Sequence, residues 1–301
     1  MTDNFKSGYV AIVGRPNVGK STILNKLVGQ KIAIMSPKPQ TTRNKILGIL
    51  HGEGYQVIFL DTPGFHKPRT RLGENMVKEV NDAMEGVDIT MVVVEPADRV
   101  SPAEEEIIRK IGHSKSILVI NKTDTVKKEE LLGVVAMYSK LHNFDAVVPV
   151  SAKSGDNLGE LKKVICELLP LGPMYYPEDM VTDQMEKEIV AEVIREKILK
   201  TLRDEIPHGT AVEIVKMKYR EDNSGGIHDI SANIYCEKNS HKGIIIGKGG
   251  KTLKEIGTRA RQECERMLET KVFMELWVKV KEDWRNSNSL MKEMGVLANE
   301  D

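Results

Sequence analysis

Short apolar runs alternate with segments of helical periodicity through the first 170 residues. The runs at residues 9–13, 55–60, 88–95, 116–120 and 146–150 are too short for helices and read as buried strands. Between them, residues 21–27, 72–85, 128–141 and 157–169 read as helices, and Gly86 and Pro170 stand where two of them stop. Another starts at Ser101 as N-cap, with Pro102 at its first position and acidic residues in its first turn, and runs to about Gly112. Residues 46–50 precede the turn cluster His51-Gly52-Glu53-Gly54 and pair with 55–60 as a hairpin. The pattern predicts an α/β domain with a mostly parallel open sheet and one antiparallel edge strand.

The alternation breaks at Gly172-Pro173-Met174-Tyr175-Tyr176-Pro177, which reads as an extended linker. We expect domains at 1–171 and 184–301, joined by 172–183. In the second, Asp183 is placed to cap a helix reaching Leu202, with Ile189, Val193, Ile194 and Ile198 on one face. Strands at 211–219 and 227–236 flank a turn at Asn223-Ser224-Gly225-Gly226. A short apolar helix, a helix at 252–268 and a strand at 271–280 complete an α+β unit. Trp277 reads as packing on that last strand, while Trp284 and the tail are either a contact site or a frayed end.

Composition narrows the function. The 301 residues are 40% hydrophobic and 29% charged with zero formal net charge, so nucleic-acid binding requires a local basic patch. Cys166, Cys236 and Cys264 have no metal or disulfide spacing. Residues 1–7 lack the apolar core of a signal peptide, and runs such as Met91-Val92-Val93-Val94 cannot span a bilayer. The expectation is a cytoplasmic protein with free thiols.

Gly14-Arg15-Pro16-Asn17-Val18-Gly19-Lys20-Ser21 fills every fixed position of GxxxxGKS. The glycines let backbone N–H groups surround phosphates, Lys20 adds charge, Ser21 offers a magnesium ligand, and Ser21-Thr22 opens a helix whose dipole favours the anion. Thr41 and Thr42 lie in a loop able to reach the metal and γ-phosphate. Asp61-Thr62-Pro63-Gly64 ends a strand, where Asp61 can bind magnesium through water and Gly64 can offer an N–H to the γ-phosphate. His66 reads as a loop histidine. Asn121-Lys122-Thr123-Asp124 selects the base: Asp124 can accept from both N1–H and the exocyclic amine of guanine, a pair adenine lacks. The stem of Lys122 can lie on the purine, and Ala152 in Ser151-Ala152-Lys153 can offer its N–H to the guanine carbonyl.

With these motifs in this order, residues 8–170 resemble translation-factor-type GTPases. The resemblance implies Ser21 and Thr42 as magnesium ligands, Asp61 in the metal's water shell, and all the motif residues named above, with Phe65, as the GTP/GDP site. It implies catalytic roles for Asn17, Lys20, Thr42 and Gly64. Phe65 stands where Ras-like proteins carry the water-positioning glutamine, and a phenyl ring cannot orient water. Asn17 matches the asparagine that, in several relatives, ligates a potassium ion in place of an arginine finger, making potassium a candidate cofactor.

In the second half, Gly247-Lys248-Gly249-Gly250 and the element order resemble a type II KH domain. Eight Lys or Arg between positions 238 and 266 oppose three Glu. Lys242, Gly247, Lys248, Gly249, Gly250, Lys251 and Lys254 are the candidate contacts to single-stranded RNA. A GTPase domain followed by this KH domain resembles the Era family of bacterial ribosome-assembly GTPases. That resemblance implies a monomeric switch on the 3′ end of 16S rRNA in 30S subunit maturation, with peripheral contact at the inner face of the cell membrane. A metabolic phosphate-transferring enzyme and a KH-like protein-interaction module are the alternatives the residues leave open.

Overall fold

In the computed structural model, which describes residues 4–203, 206–222 and 225–297, the first half alternates strand and helix. The order is β1 (Lys6–Val13), α1 (Lys20–Val28), β2 (Ile46–Gly52), β3 (Tyr55–Asp61), α2 (Arg71–Met84), β4 (Ile89–Val94), α3 (Pro102–Arg109), β5 (Lys115–Ile120), α4 (Lys128–Ser139), β6 (Ala146–Pro149) and α5 (Leu158–Leu168). The sheet order is β2-β3-β1-β4-β5-β6, parallel except for β2 against β3. Helices cover both faces, which is why every residue of β4 is buried. One core gathers Val10, Ile12, Leu24 and Phe59 with Leu161 and Ile165 of α5; the other gathers Val13, Ile58 and Val92 with Val80, Ile107 and Tyr138. The strand order delivers β1, β3, β4, β5 and β6 with their carboxyl ends on one edge, where the motif loops follow.

The start of α3 is fixed by a reciprocal cap: Glu104 N–H donates to Ser101 Oγ and Ser101 N–H to the Glu104 carboxylate. Most of the other helix ends fall within about two residues of the predicted ones on either side, while α3 stops at Arg109, three residues before the predicted Gly112.

Residues 172–182 are not a free tether. The partition of the chain falls between Asp183 and Gln184, and the preceding segment is bonded onto the first unit. Gly172 N–H donates to Phe5 O and Ser7 Oγ to Pro173 O. Gln56, fully buried, accepts from the N–H groups of Tyr175 (2.8 Å) and Tyr176 (3.1 Å) and donates to Tyr176 O (2.7 Å). Along the outer edge of β2, Ile49 N–H donates to Val181 O, His51 Nε2 to Met180 O and Thr182 Oγ1 to Leu47 O. This strap occupies the chain up to Thr182, so Asp183 does not cap the next helix. That helix, α6 (Glu186–Thr201), begins three residues later, with Met185 N–H bonded to the Glu188 carboxylate at 3.1 Å.

The second unit continues with β7 (Ala211–Asp222), β8 (Gly225–Cys236), α7 (Asn239–Ile246), α8 (Lys251–Leu268), β9 (Lys271–Val280) and α9 (Asn288–Glu293). Asn223 and Ser224 of the predicted turn lie outside the described residues. The sheet order is β7-β8-β9, with β8 and β9 parallel. Its core joins Val193, Ile194 and Ile198 of α6, Ile230, Ala232 and Ile234 of β8, and Ile256, Ala260 and Cys264 of α8. Lys197 sits in that α6–α8 seam between Glu196 and Glu263. Burial opposes its charge, but the two carboxylates outweigh it and hold the ammonium above the ordinary lysine range.

Trp277 faces solvent, 59% exposed, so the packing expectation fails for it. Trp284 is wholly buried and donates from Nε1 to Gly209 O at 3.1 Å, and Arg285 pairs with Glu237, so the chain is pinned at that point. Among the described residues no helix is long and apolar enough to cross a membrane.

Replacing Gln56 by Ala leaves two N–H groups and a carbonyl without their partner, at a cost of about 2–4 kcal/mol. We expect faster amide hydrogen exchange at residues 175–182 in Gln56→Ala, with guanine nucleotide affinity unchanged; exchange mass spectrometry and nucleotide titration check this.

Candidate functional site: a nucleotide cavity and a glycine-rich turn

A cavity of about 530 Å³ opens at the carboxyl edge of the sheet. Pro16, Asn17, Gly19, Lys20, Ser21 and Thr22 form its floor, Thr41, Thr42 and Gly64 one wall, and Asn121, Lys122, Asp124, Ala152 and Lys153 the other. A larger hollow, about 1090 Å³, lies at the amino ends of β4 and β5 near Asp88 and Lys115, and holds none of the motif residues.

The phosphate loop is shaped by its backbone. Asn17 and Gly19 are left-handed, at φ 66° and 101°, and a Cβ on Gly19 would stand 2.2 Å from Asn121 Nδ2. Lys20 Nζ donates to Gly14 O and Arg15 O at 3.1 Å each, which points the ammonium across the loop. Burial lowers its pKa to about 8, partly countered by Asp61.

Asp61 is fully buried at the end of β3. Its Oδ2 accepts from Ser21 Oγ at 2.5 Å, and Ser21 Oγ lies 2.9 Å from Thr42 Oγ1. Thr41 turns the other way and donates to Lys38 O at 2.6 Å. Burial raises the Asp61 pKa to about 6, against the pull of Lys20 and the Ser21 bond. Its Oδ1 is buried with no hydrogen-bond partner. Two hydroxyls and a carboxylate with one orphaned oxygen are a hard-oxygen donor set, and they fit a magnesium ion bound directly and through water.

On the base side Asn121 acts as a bracket. Its Nδ2 donates to Val18 O at 2.8 Å, and its Oδ1 accepts from Ala152 N–H at 3.0 Å. The Ala152 N–H expected to serve guanine is thus engaged by Asn121. Asp124 is exposed at the cavity and accepts from Ser151 Oγ at 2.7 Å, and that bond chiefly holds its carboxyl below the usual range.

Some expected nucleotide residues serve the scaffold. Val18 and Phe65 pack into the cores, the Phe65 ring under Lys110 Nζ at 4.7 Å, while Phe65 N–H donates to Gly14 O. Thr62 Oγ1 donates to Ile12 O. Pro63 is buried, and Gly14, Asp61, Thr123 and Ser151 stand behind the lining. Arg15 turns away toward α3. Gly64 does reach the cavity, so close to the phosphate loop that a Cβ there would meet Pro16 Cα at 2.6 Å. His66 is half-buried and donates from Nδ1 to Gly64 O, more than the predicted loop histidine. The sequence pattern did not single out Ile34, Met35, Pro37, Gln40 and Thr125, which also line the cavity, nor Glu95 beside Lys122. Glu95 follows β4 at the same sheet edge as the motifs, and that position was its signal.

In the second unit, Gly247, Gly249 and Gly250 are left-handed at φ 73°, 59° and 77°, between α7 and α8. Lys248, Lys251 and Lys254 are exposed around the turn and Lys242 is half-buried. Arg259 and Arg261 of the counted patch pair with Glu255 and Glu265, which concentrates the unpaired charge near the turn. Ile244, 50% exposed on α7, adds an apolar contact the charge count did not reveal.

These two sites define a P-loop GTPase unit followed by a KH unit. A family model for a 50S ribosome-binding GTPase matches residues 9–122, and a KH domain model matches 205–285. The chain is 50% identical to the GTPase Era of Ruminiclostridium cellulolyticum over 298 residues, 98% of this chain and 99% of that one. It is 52% identical to the GTPase Era of Clostridioides difficile over 294 residues, 97% and 98% of the two. Two solved structures are similar, each at 40% identity over 98% of this chain and 100% of the other: a Tyr-to-Ala variant of Aquifex aeolicus Era bound to GDP·AlF4−, at a TM-score of 0.92, and Era in complex with MgGDPNP and nucleotides 1506–1542 of 16S ribosomal RNA, at 0.93. The chain belongs to the Era family of GTPases.

Asn121→Ala strands Val18 O and Ala152 N–H, and we expect about hundredfold weaker GDP binding from two buried groups left unpaired. Asn121→Asp keeps the acceptor for Ala152 but sets a buried carboxylate oxygen against Val18 O, so it should bind GDP no better than Asn121→Ala; calorimetric titration with GDP gives the ranking.

Proposed function

We propose that the chain is a GTP-driven switch that binds the 3′ end of 16S rRNA during maturation of the 30S subunit. The observation that carries the reading is one chain holding both Asp124 at the nucleotide cavity and the left-handed turn Gly247–Gly250 in a basic surface. The complex of Era with 16S nucleotides 1506–1542, 40% identical over nearly the whole chain, supports the choice of RNA.

In this reading Lys20 and the loop N–H groups hold the phosphates, and Gly64 N–H faces the γ-phosphate. Ser21, Thr42 and Asp61 would hold magnesium, which supplies charge neutralisation on the phosphate oxygens. Asp124 accepts from the guanine edge. Thr42 and Gly64 then sense the γ-phosphate, and its loss on hydrolysis frees their loops. Because the Phe65 side chain is locked in the core, no side chain at that position orients water. Asn17, exposed and left-handed at the cavity, is the residue we assign to a potassium ion there.

Two outcomes test the reading. Gly247→Asp and Gly250→Asp, at positions that disfavour any side chain, should weaken binding of a 16S 3′-end oligonucleotide more than tenfold in a filter assay across a salt series, with GDP affinity retained. Loss of both activities together would refute two separable sites. Phosphate release should run about tenfold faster in potassium than in sodium, a difference of ~1.4 kcal/mol in barrier, and Asn17→Ala should remove it. Equal rates in the two salts would remove potassium from the mechanism.

A further inference from the structure

Four charged side chains run in series from α3 to the base side of the cavity. Glu104, 1% exposed, accepts from Ser101 N–H and from Arg15 Nε, each at 2.8 Å. Arg15 Nη2 stands 3.8 Å from Glu95 Oε1, and the other oxygen of Glu95 takes Lys122 Nζ at 2.6 Å. The inner end is rigid, because a buried carboxylate holds its counter-ion tightly. The outer end is about a third exposed at Glu95 and at Lys122.

Lys122 is left-handed at φ 63°, lines the cavity, and lies two residues before Asp124. Its charge, like that of Lys153, already acts on the Asp124 carboxyl. An ammonium released from Glu95 would have Asp124 as its nearest exposed carboxylate within that loop. A lysine-paired Asp124 would be a poorer acceptor for a base edge bearing two donors.

We propose that Glu95 is a positioning residue of the guanine site: fixed through Arg15 and Glu104, it holds the Lys122 ammonium away from Asp124 and sets the lysine stem along the base side before nucleotide arrives. The proposal rests on the reading of Asp124 as the guanine acceptor. Neither phosphate-loop nor base-loop motif contains Glu95 or Glu104, and the Arg15 position of the phosphate pattern is unconstrained.

The test is the dissociation rate of N-methylanthraniloyl-GDP from the full chain by stopped flow, with melting of the nucleotide-free protein alongside. Glu95→Gln should speed dissociation about three- to fivefold, the range of a partly exposed ion pair, without moving the melting point of the empty protein. Lys122→Met keeps the stem and removes the ammonium; Glu95→Gln added to it should change nothing further. An unchanged rate in Glu95→Gln, or the same factor in the Lys122→Met background, overturns the proposal. Asp124→Asn should transfer preference from GDP to xanthosine diphosphate. If it does not, the guanine reading falls and the proposal with it, whereas a failure confined to Glu95 leaves that reading intact.

Discussion

The side-chain amide of Asn121 holds the nucleotide site together. The loops after β1, β5 and β6 come from separate parts of the chain, and beyond the strands the last two are joined by the backbone bond from Thr123 N–H to Val150 O. Asn121, 3% exposed, spans them by donating to Val18 O and accepting from Ala152 N–H. Its own N–H is tied to Val94 O, so the residue is fixed to the sheet as well. The demand that no buried polar group go unpaired therefore sets the gap between the phosphate floor and the base wall. Gly19 is part of the same constraint, since only a residue without a side chain leaves room for the amide.

Across the cavity the governing term is desolvation. Lys20 and Asp61 are both taken out of water, and each is pushed toward its neutral form. A site built this way is costly when empty and gains on receiving a polyanion and a divalent cation together, because each ligand restores the charge state the protein group has in water. In the proposed reading the phosphates would answer Lys20 and the metal would answer Asp61.

The sheet and the loops of both candidate sites were legible because their signals are local. Parallel strands buried on both faces read as unbroken apolar runs, and the phosphate and base loops are contiguous motifs at strand ends. What escaped were bonds made over long sequence separations. Gln56 sits in an ordinary strand, and nothing near it in sequence announces partners at Tyr175 and Tyr176. The same holds for Glu104 and Arg15. The burial of Phe65 beneath Lys110 likewise depends on packing that sequence spacing does not encode. Trp277 was a different failure. Val272, Met274, Leu276 and Val278 take the inward parity of β9, so the alternation itself placed Trp277 outward.

The strap along β2 has a consequence for how the protein behaves in a crowded cell. An open sheet ends in two strands whose outer N–H and C=O groups invite a strand from another molecule. At one end β6 offers only Ala146–Pro149, short and closed by a proline. At the other, β2 is long and apolar, and residues 180–182 take up the outward groups of Leu47 and Ile49. The stretch that looks like a connector is thus a guard on the sheet's most adhesive edge. Lengthening or softening it to alter domain spacing would uncover that edge, and the penalty would appear as self-association rather than as lost GTP binding.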